Sequence, residues 1–159
     1  MTLRSFSLFI VGVSLVACSG ETSSGGSGAQ LVGTWGSTET ITQTGSTTVD
    51  ATYFVFEADK TVRTFFRHST TANNVTTSLA VCGSGTYVLA NGLLSTTVQR
   101  KSSSYETPPS TITETVNDSS KIEFIDESIR LTRDVDGASV VATYKRGTLP
   151  DGLEASCPR

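Results

Sequence analysis

The chain has 159 residues, with 12 Lys and Arg against 15 Asp and Glu and a formal net charge of −3. So mild an acidic balance excludes a nucleic-acid footprint, which needs a clustered basic face, and a single histidine with no close cysteine pair argues against any bound metal. The 22 Ser and 26 Thr dominate while good helix formers are scarce after the first segment, and threonine, being β-branched, fits a pleated and half-wetted surface.

The first segment opens with Met1 to Arg4, and an apolar run follows from Phe6 to Ala17, broken only by Ser7, Gly12 and Ser14. This is the charged n-region and apolar h-region of a secretory signal. It ends well short of the roughly 20 apolar residues that a membrane-spanning helix needs, so it is expected to target rather than to stay. Leu15-Val16-Ala17-Cys18 resembles the lipobox of bacterial lipoproteins, in which small residues precede a cysteine that is lipidated before cleavage. The resemblance implies a signal peptide over 1–17 and a lipidated Cys18 as the mature N-terminus. An ordinary signal peptide with an incidental cysteine is the competing reading. Ser19 stands where lipoproteins held at the inner membrane often carry Asp, which implies delivery to the outer membrane. Several acyl chains on Cys18 would anchor the protein without spanning the bilayer.

Residues 18–30 form the tether, and from Ser19 to Gln30 they include no large apolar side chain. Nothing there offsets the entropy of ordering, and as a random coil the ends would lie on the order of 20 Å apart. With Cys18 taken by lipid, Cys82 and Cys157 remain as an even pair in an oxidising compartment, and a disulfide between them is expected to pin the C-terminal tail. Two free thiols are the alternative, because sequence does not carry the geometry that a bridge requires.

Residues 31–159 suit one domain. No window after Gln30 shows a helical apolar period, and the chain breaks into short apolar or alternating runs divided by turn residues. Strands are expected near 32–42, 48–57, 61–69, 75–82, 85–90, 93–101, 111–116, 121–133 with a break at Asp126-Glu127, and 138–146. Asn91-Gly92 and Asp136-Gly137 are the strongest hairpin signals, since both turn positions favour positive φ. Sequential hairpins hide their edges most simply in an all-β, antiparallel up-and-down barrel, here of about 8 to 10 strands. A sandwich fits the same spacing, although the Cys-Trp-Cys pattern of an immunoglobulin domain is missing.

Several stretches resemble one family. Leu31-Val32-Gly33-Thr34-Trp35 looks like the opening strand of lipocalin-like domains, and Phe56 to Val62, Gly85-Thr86-Tyr87 leading to Asn91-Gly92-Leu93, and Thr143 to Arg146 are similar to bacterial lipocalin-like domains found on lipoproteins. The likeness spans Leu31 to Arg146. It implies that Trp35 seals the barrel floor and that Arg146 lies over its ring. The Thr-Asp-Tyr motif of animal lipocalins is not matched, and the tail after Arg146 is too short and proline-broken for their terminal helix.

No catalytic device is expected. His68 would have to serve any acid–base or nucleophilic scheme, Gly83-Ser84-Gly85 lacks the spacing of a nucleophile elbow, and Asp134 to Gly137 lacks the later ligands of a calcium loop. Alternation places Val62, Phe66 and His68 on one face, Ile112, Glu114 and Val116 on another, and Val140, Ala142, Tyr144 and Arg146 on a third. If the apolar members face inward, Phe66, His68, Glu114, Tyr144 and Arg146 are ligand contacts at a cavity mouth, or else members of a satisfied core network. The expected function is a non-enzymatic, membrane-anchored binding module for a small, partly apolar ligand, without cofactor. The alternative is an envelope structural or protein-interaction module with a filled interior; the Ser102 to Ser110 loop, carrying Tyr105 and Pro108-Pro109, is its candidate contact surface.

Overall fold

Eight antiparallel strands follow one another around a closed barrel in chain order, the last returning to the first. The computed structural model describes residues 28–103 and 111–157. The leader, Cys18, the tether as far as Ser27, and Ser104 to Ser110 with Tyr105 and Pro108-Pro109 lie outside the described residues. The strands are β1 (Gly33–Gln43), β2 (Ser46–Phe56), β3 (Thr61–Ala72), β4 (Val75–Ala90), β5 (Leu93–Ser103), β6 (Thr111–Ile125), β7 (Ser128–Val135) and β8 (Ala138–Gly147). This is the up-and-down order that consecutive hairpins produce. The turns show why: Asn91 and Gly92 have φ of 52° and 73°, and Asp136 and Gly137 have 51° and 80°, the paired positive values whose twist matches the flanking strands.

The structure joins two pairs of elements that the sequence divides. Expected strands at 75–82 and 85–90 are one continuous β4, and the 111–116 segment runs into the first part of 121–133 as β6, whereas the break at Asp126-Glu127 separates β6 from β7. Gly83 and Gly85 are not turn residues; they let β4 approach β5. A Cβ on Gly85 would lie 1.9 Å from the Thr97 carbonyl oxygen, a backbone atom that cannot swing away. Gly85→Ala is therefore expected to cost about 3 kcal/mol by overpacking, read as a lowered denaturation midpoint, while Ser84→Ala on the exposed face stays within about 0.5 kcal/mol. In β6 the polar run Asn117 to Ser120 stays in the sheet because β5 pairs along all of it. The Thr97 hydroxyl donates to Asn117 Oδ1 at 2.9 Å, and the Ser95 and Ser119 hydroxyls meet at 3.1 Å.

Alternation along the strands turns Trp35, Phe56, Val62, Tyr87, Leu94, Val98, Ile122 and Ile129 into one buried cluster. It fills the end of the barrel where the chain enters at Gly33 and where β8 finishes. Gly28 to Gln30, placed in the tether by sequence, instead join Leu31 in one helical turn, and Leu31, expected to open the first strand, is fully buried against this cluster. That burial supplies the apolar area which the tether lacks. The opposite end carries the β1–β2, β3–β4 and β7–β8 turns and is called the mouth below.

The tail returns along the outside. Leu149 and Leu153 pack on Val55 and Phe65, outward residues of β2 and β3, and Arg63 pairs with Glu154. Cys157 is disulfide-bonded to Cys82 across a Cα separation of 5.6 Å. The barrel wall is uneven. Whereas β2 and β3 pair along Ser46–Phe56 and Val62–Ala72, the β1–β8 ladder covers Thr34–Gly36 against Lys145–Gly147, and the β6–β7 ladder covers Lys121–Ile125 against Ser128–Thr132. The β7–β8 hairpin is thus tied to both neighbours mainly at its base.

Candidate functional site

The floor is built first by the backbone. Trp35 Nε1 donates to the Leu31 carbonyl at 2.7 Å, so the indole nitrogen is satisfied although the side chain is buried. Arg146, opposite Trp35 in the β1–β8 ladder, lays its guanidinium 4.3 Å from the indole centroid. Its two terminal nitrogens donate to the carbonyls of Val32 at 3.0 Å and Gln30 at 2.6 Å. Gly33 has φ 131°, and a Cβ there would meet the Arg146 guanidinium nitrogen at 2.7 Å, which accounts for glycine in Gly33-Thr34-Trp35. Arg146 is therefore committed to the floor and stands apart from the mouth residues with which sequence alternation grouped it.

Toward the mouth the inward positions change character. In β2 the sequence Phe56, Phe54, Thr52, Asp50, Thr48 faces inward, and β3 presents Val62, Thr64, Phe66, His68, Thr70 opposite them. Asp50 and His68 are cross-strand partners, and the Asp50 carboxylate lies 2.6 Å from His68 Nδ1. His68 Nε2 is 3.3 Å from the Thr70 hydroxyl, which is 3.2 Å from the Thr48 hydroxyl. With a neutral ring, Nδ1–H donates to the carboxylate and Nε2 accepts from Thr70. The His68 and Asp50 side chains keep 35% and 18% of their surface exposed, so this relay opens on solvent.

A carboxylate, an imidazole and a hydroxyl in line could polarise that hydroxyl. However, Thr70 sits within a strand paired on both sides, with Thr48 in β2 and Thr77 in β4. Its neighbouring N–H groups belong to the ladders on either side.

Across the lumen, Arg133 donates to Asp118 at 3.2 Å, and Arg100 stands opposite Glu114 in the β5–β6 ladder. Phe66 is half-buried on the inner face, between Thr52 and Val81. Tyr144 packs edge-on against Phe54 at 5.1 Å between ring centroids. Burial pushes its phenol above the ordinary range; Arg133 lowers it and Asp118 raises it by lesser amounts. Thus Phe66, His68, Glu114 and Tyr144 share the lumen, while Arg146 lies at its base. Sequence reasoning missed Asp50, Arg100, Asp118 and Arg133. Counting by twos back from Phe54 reaches Asp50, and forward from Glu114 and Val116 reaches Asp118, so the signal was the same alternation applied to more strands.

The raised phenol has a consequence at high pH. Tyr144 holds its proton more tightly folded than unfolded, so it contributes stability below the ordinary tyrosine value that is lost as pH rises through the folded one. Tyr87, lifted first by burial and then by Asp59 and Glu57, acts in the same sense. Stability should fall above about pH 10, and Tyr144→Phe should flatten part of that decline when urea midpoints are compared at pH 8 and above pH 10.

A concavity lies outside the barrel, where the tail crosses β1 to β3. It has a volume of about 360 Å³ and is lined by Val49, Ala51, Tyr53, Arg67, Pro150 and Leu153 among others. Among the described residues no group of three or more His, Cys, Asp or Glu side chains is arranged to hold a metal ion. No helix among them is long and apolar enough to cross a membrane. Comparison of the chain with known protein families, with characterised proteins and with solved structures finds no match in any of the three.

Proposed function

We propose that this protein is a lipid-anchored envelope protein whose lipocalin-like barrel holds a small, partly apolar molecule in its mouth without chemically altering it. One contrast carries the reading. The interior is packed with large apolar side chains at the floor, yet it changes to aromatic walls with half-open polar groups above: Phe54, Phe66 and Tyr144 beside Asp50, His68, Asp118 and Arg133. Sites for small molecules combine such apolar lining with a few oriented polar groups. The lipobox-like Leu15 to Cys18, the polar segment after it and the disulfide favour an anchored protein in an oxidising compartment.

Native mass spectrometry of the full chain extracted from its own membrane tests the binding. A copurifying mass is expected, and His68→Ala or Phe66→Ala should remove it, whereas Arg67→Ala in the outer groove should not. A bare protein mass, together with no change in Trp35 or tyrosine fluorescence on titration with amphipathic probes, would favour the alternative of an interaction module with a side-chain-filled interior. Anchoring is tested separately: Cys18→Ser is expected to move the protein from the membrane fraction to the soluble one.

A further inference from the structure

The short reach of the β7–β8 hairpin leaves β6 exposed along one side. Thr111 to Ser120 pairs with β5 throughout, but on its other side no strand forms a ladder with it among the described residues; pairing with β7 starts at Lys121. At about 3.3 Å per residue this edge runs on the order of 30 Å. Such a row of open N–H and C=O groups templates another strand unless the sequence blunts it with lysine, proline or a bulge. This edge reads Thr-Ile-Thr-Glu-Thr-Val-Asn-Asp-Ser-Ser, with no lysine, arginine or proline. Glu114 turns to the lumen side opposite Arg100, and Asp118, paired there with Arg133, also accepts the Ser119 N–H at 2.9 Å, so the open row of backbone groups runs from Thr111 to Asn117.

We propose that the β6 edge is a docking surface for a second copy of this chain, two β6 strands pairing antiparallel about a two-fold axis at Thr115. The sequence is self-complementary in this register. On the outer face Thr115 meets its own copy, Thr113 meets Asn117 and Thr111 meets Ser119, all hydroxyl or amide pairs that hydrogen-bond across strands. On the inner face Glu114 meets Val116 and Ile112 meets Asp118, so no like charges oppose each other. A two-fold contact of one patch with itself closes at the dimer and leaves no further edge to extend. This inference is independent of whether the mouth holds a ligand.

Thiol trapping on the full chain in mild detergent tests the register. Directly opposed residues in antiparallel strands have the Cα spacing that a disulfide accepts. Thr115→Cys should therefore give a reducible covalent dimer under mild oxidation, where the wild type gives none. Thr111→Cys alone should give about tenfold less, and Thr111→Cys with Ser119→Cys should restore the yield. Without oxidation, Thr115→Lys brings two ammonium groups face to face and should raise the dimer dissociation constant about tenfold, with an unchanged circular dichroism spectrum. A monomeric wild type at micromolar concentration, equal trapping at 111 and 115, or undiminished dimerisation of the lysine variant would overturn the proposal.

Discussion

Trp35→Ala should destabilise the barrel by about 3–5 kcal/mol, the range for removing a large aromatic from a core that cannot collapse around the void. The floor is such a core. Trp35 is fully enclosed, the Leu31 carbonyl depends on its Nε1–H, and the Arg146 guanidinium rests on its face. Its loss leaves Leu31 without the packing that holds the Gly28–Leu31 turn, and leaves Arg146 without its ring. Arg146→Ala should be milder. It removes the stacking, about 0.5–2 kcal/mol, and two hydrogen bonds from a charged donor to the Gln30 and Val32 carbonyls. Arg146→Lys should restore little of this, because an ammonium does not supply the planar fork that reaches both carbonyls while lying flat on an indole. Urea denaturation ranks the three variants, and for the two arginine substitutions Trp35, the sole tryptophan, reports the floor by its own emission. If the alanine at 146 proved as costly as the alanine at 35, the main role of Arg146 would be backbone bracing rather than covering the ring.

Removal of the disulfide is the second large effect. Cys82 and Cys157 are 75 residues apart in sequence, and closing a loop of that length reduces the entropy of the unfolded chain by an amount worth about 4 kcal/mol in the chain-entropy model. Cys82→Ser with Cys157→Ser should therefore lower the melting temperature by on the order of 15 °C for a domain of this size. The tail then keeps Leu149 and Leu153 packed with Tyr53, Val55 and Phe65, and an Arg63–Glu154 pair with both side chains substantially exposed. An exposed pair contributes at most about 1 kcal/mol. Limited proteolysis should then cut the double variant between Gly147 and Cys157 while sparing the strands. The outer groove beneath Pro150 and Leu153 would open at the same time. A melting point unchanged by the double substitution would mean that the tail's apolar contacts suffice alone.

The strand order was legible because the turns carry their own chemistry: Asn91-Gly92 and Asp136-Gly137 take the positive φ values that few other residues tolerate. The disulfide could be expected once Cys18 had been set aside, because only two cysteines remained. Glycine misled where its purpose was proximity. Gly83, at the expected break between 75–82 and 85–90, looks like punctuation in a one-dimensional pattern, and the Val98 side chain and Gln99 carbonyl that crowd it are contributed by another strand. Asn117 to Ser120 misled for a related reason, since Asn117 and Ser119 bond to Thr97 and Ser95 across the ladder, and Asp118 to Arg133 of β7, rather than within a local turn. Alternation correctly gives the side of the sheet, which is why His68, Glu114 and Tyr144 share the lumen. It is silent on height along the barrel axis, because strand tilt and stagger decide which residues of different strands lie level. Arg146 and Tyr144 are two residues apart on one face, yet one braces the base and the other packs on the core cluster above it, edge-on to Phe54.

The Gly28–Leu31 turn also decides how the molecule would be mounted. The polypeptide reaches the barrel through its sealed end, so a fatty-acylated Cys18 would pull on the base and leave the rim pointing outward, like a cup standing on its stem. Lengthening or shortening the segment ahead of Gly28 would then change the height at which the cup stands without obstructing its opening.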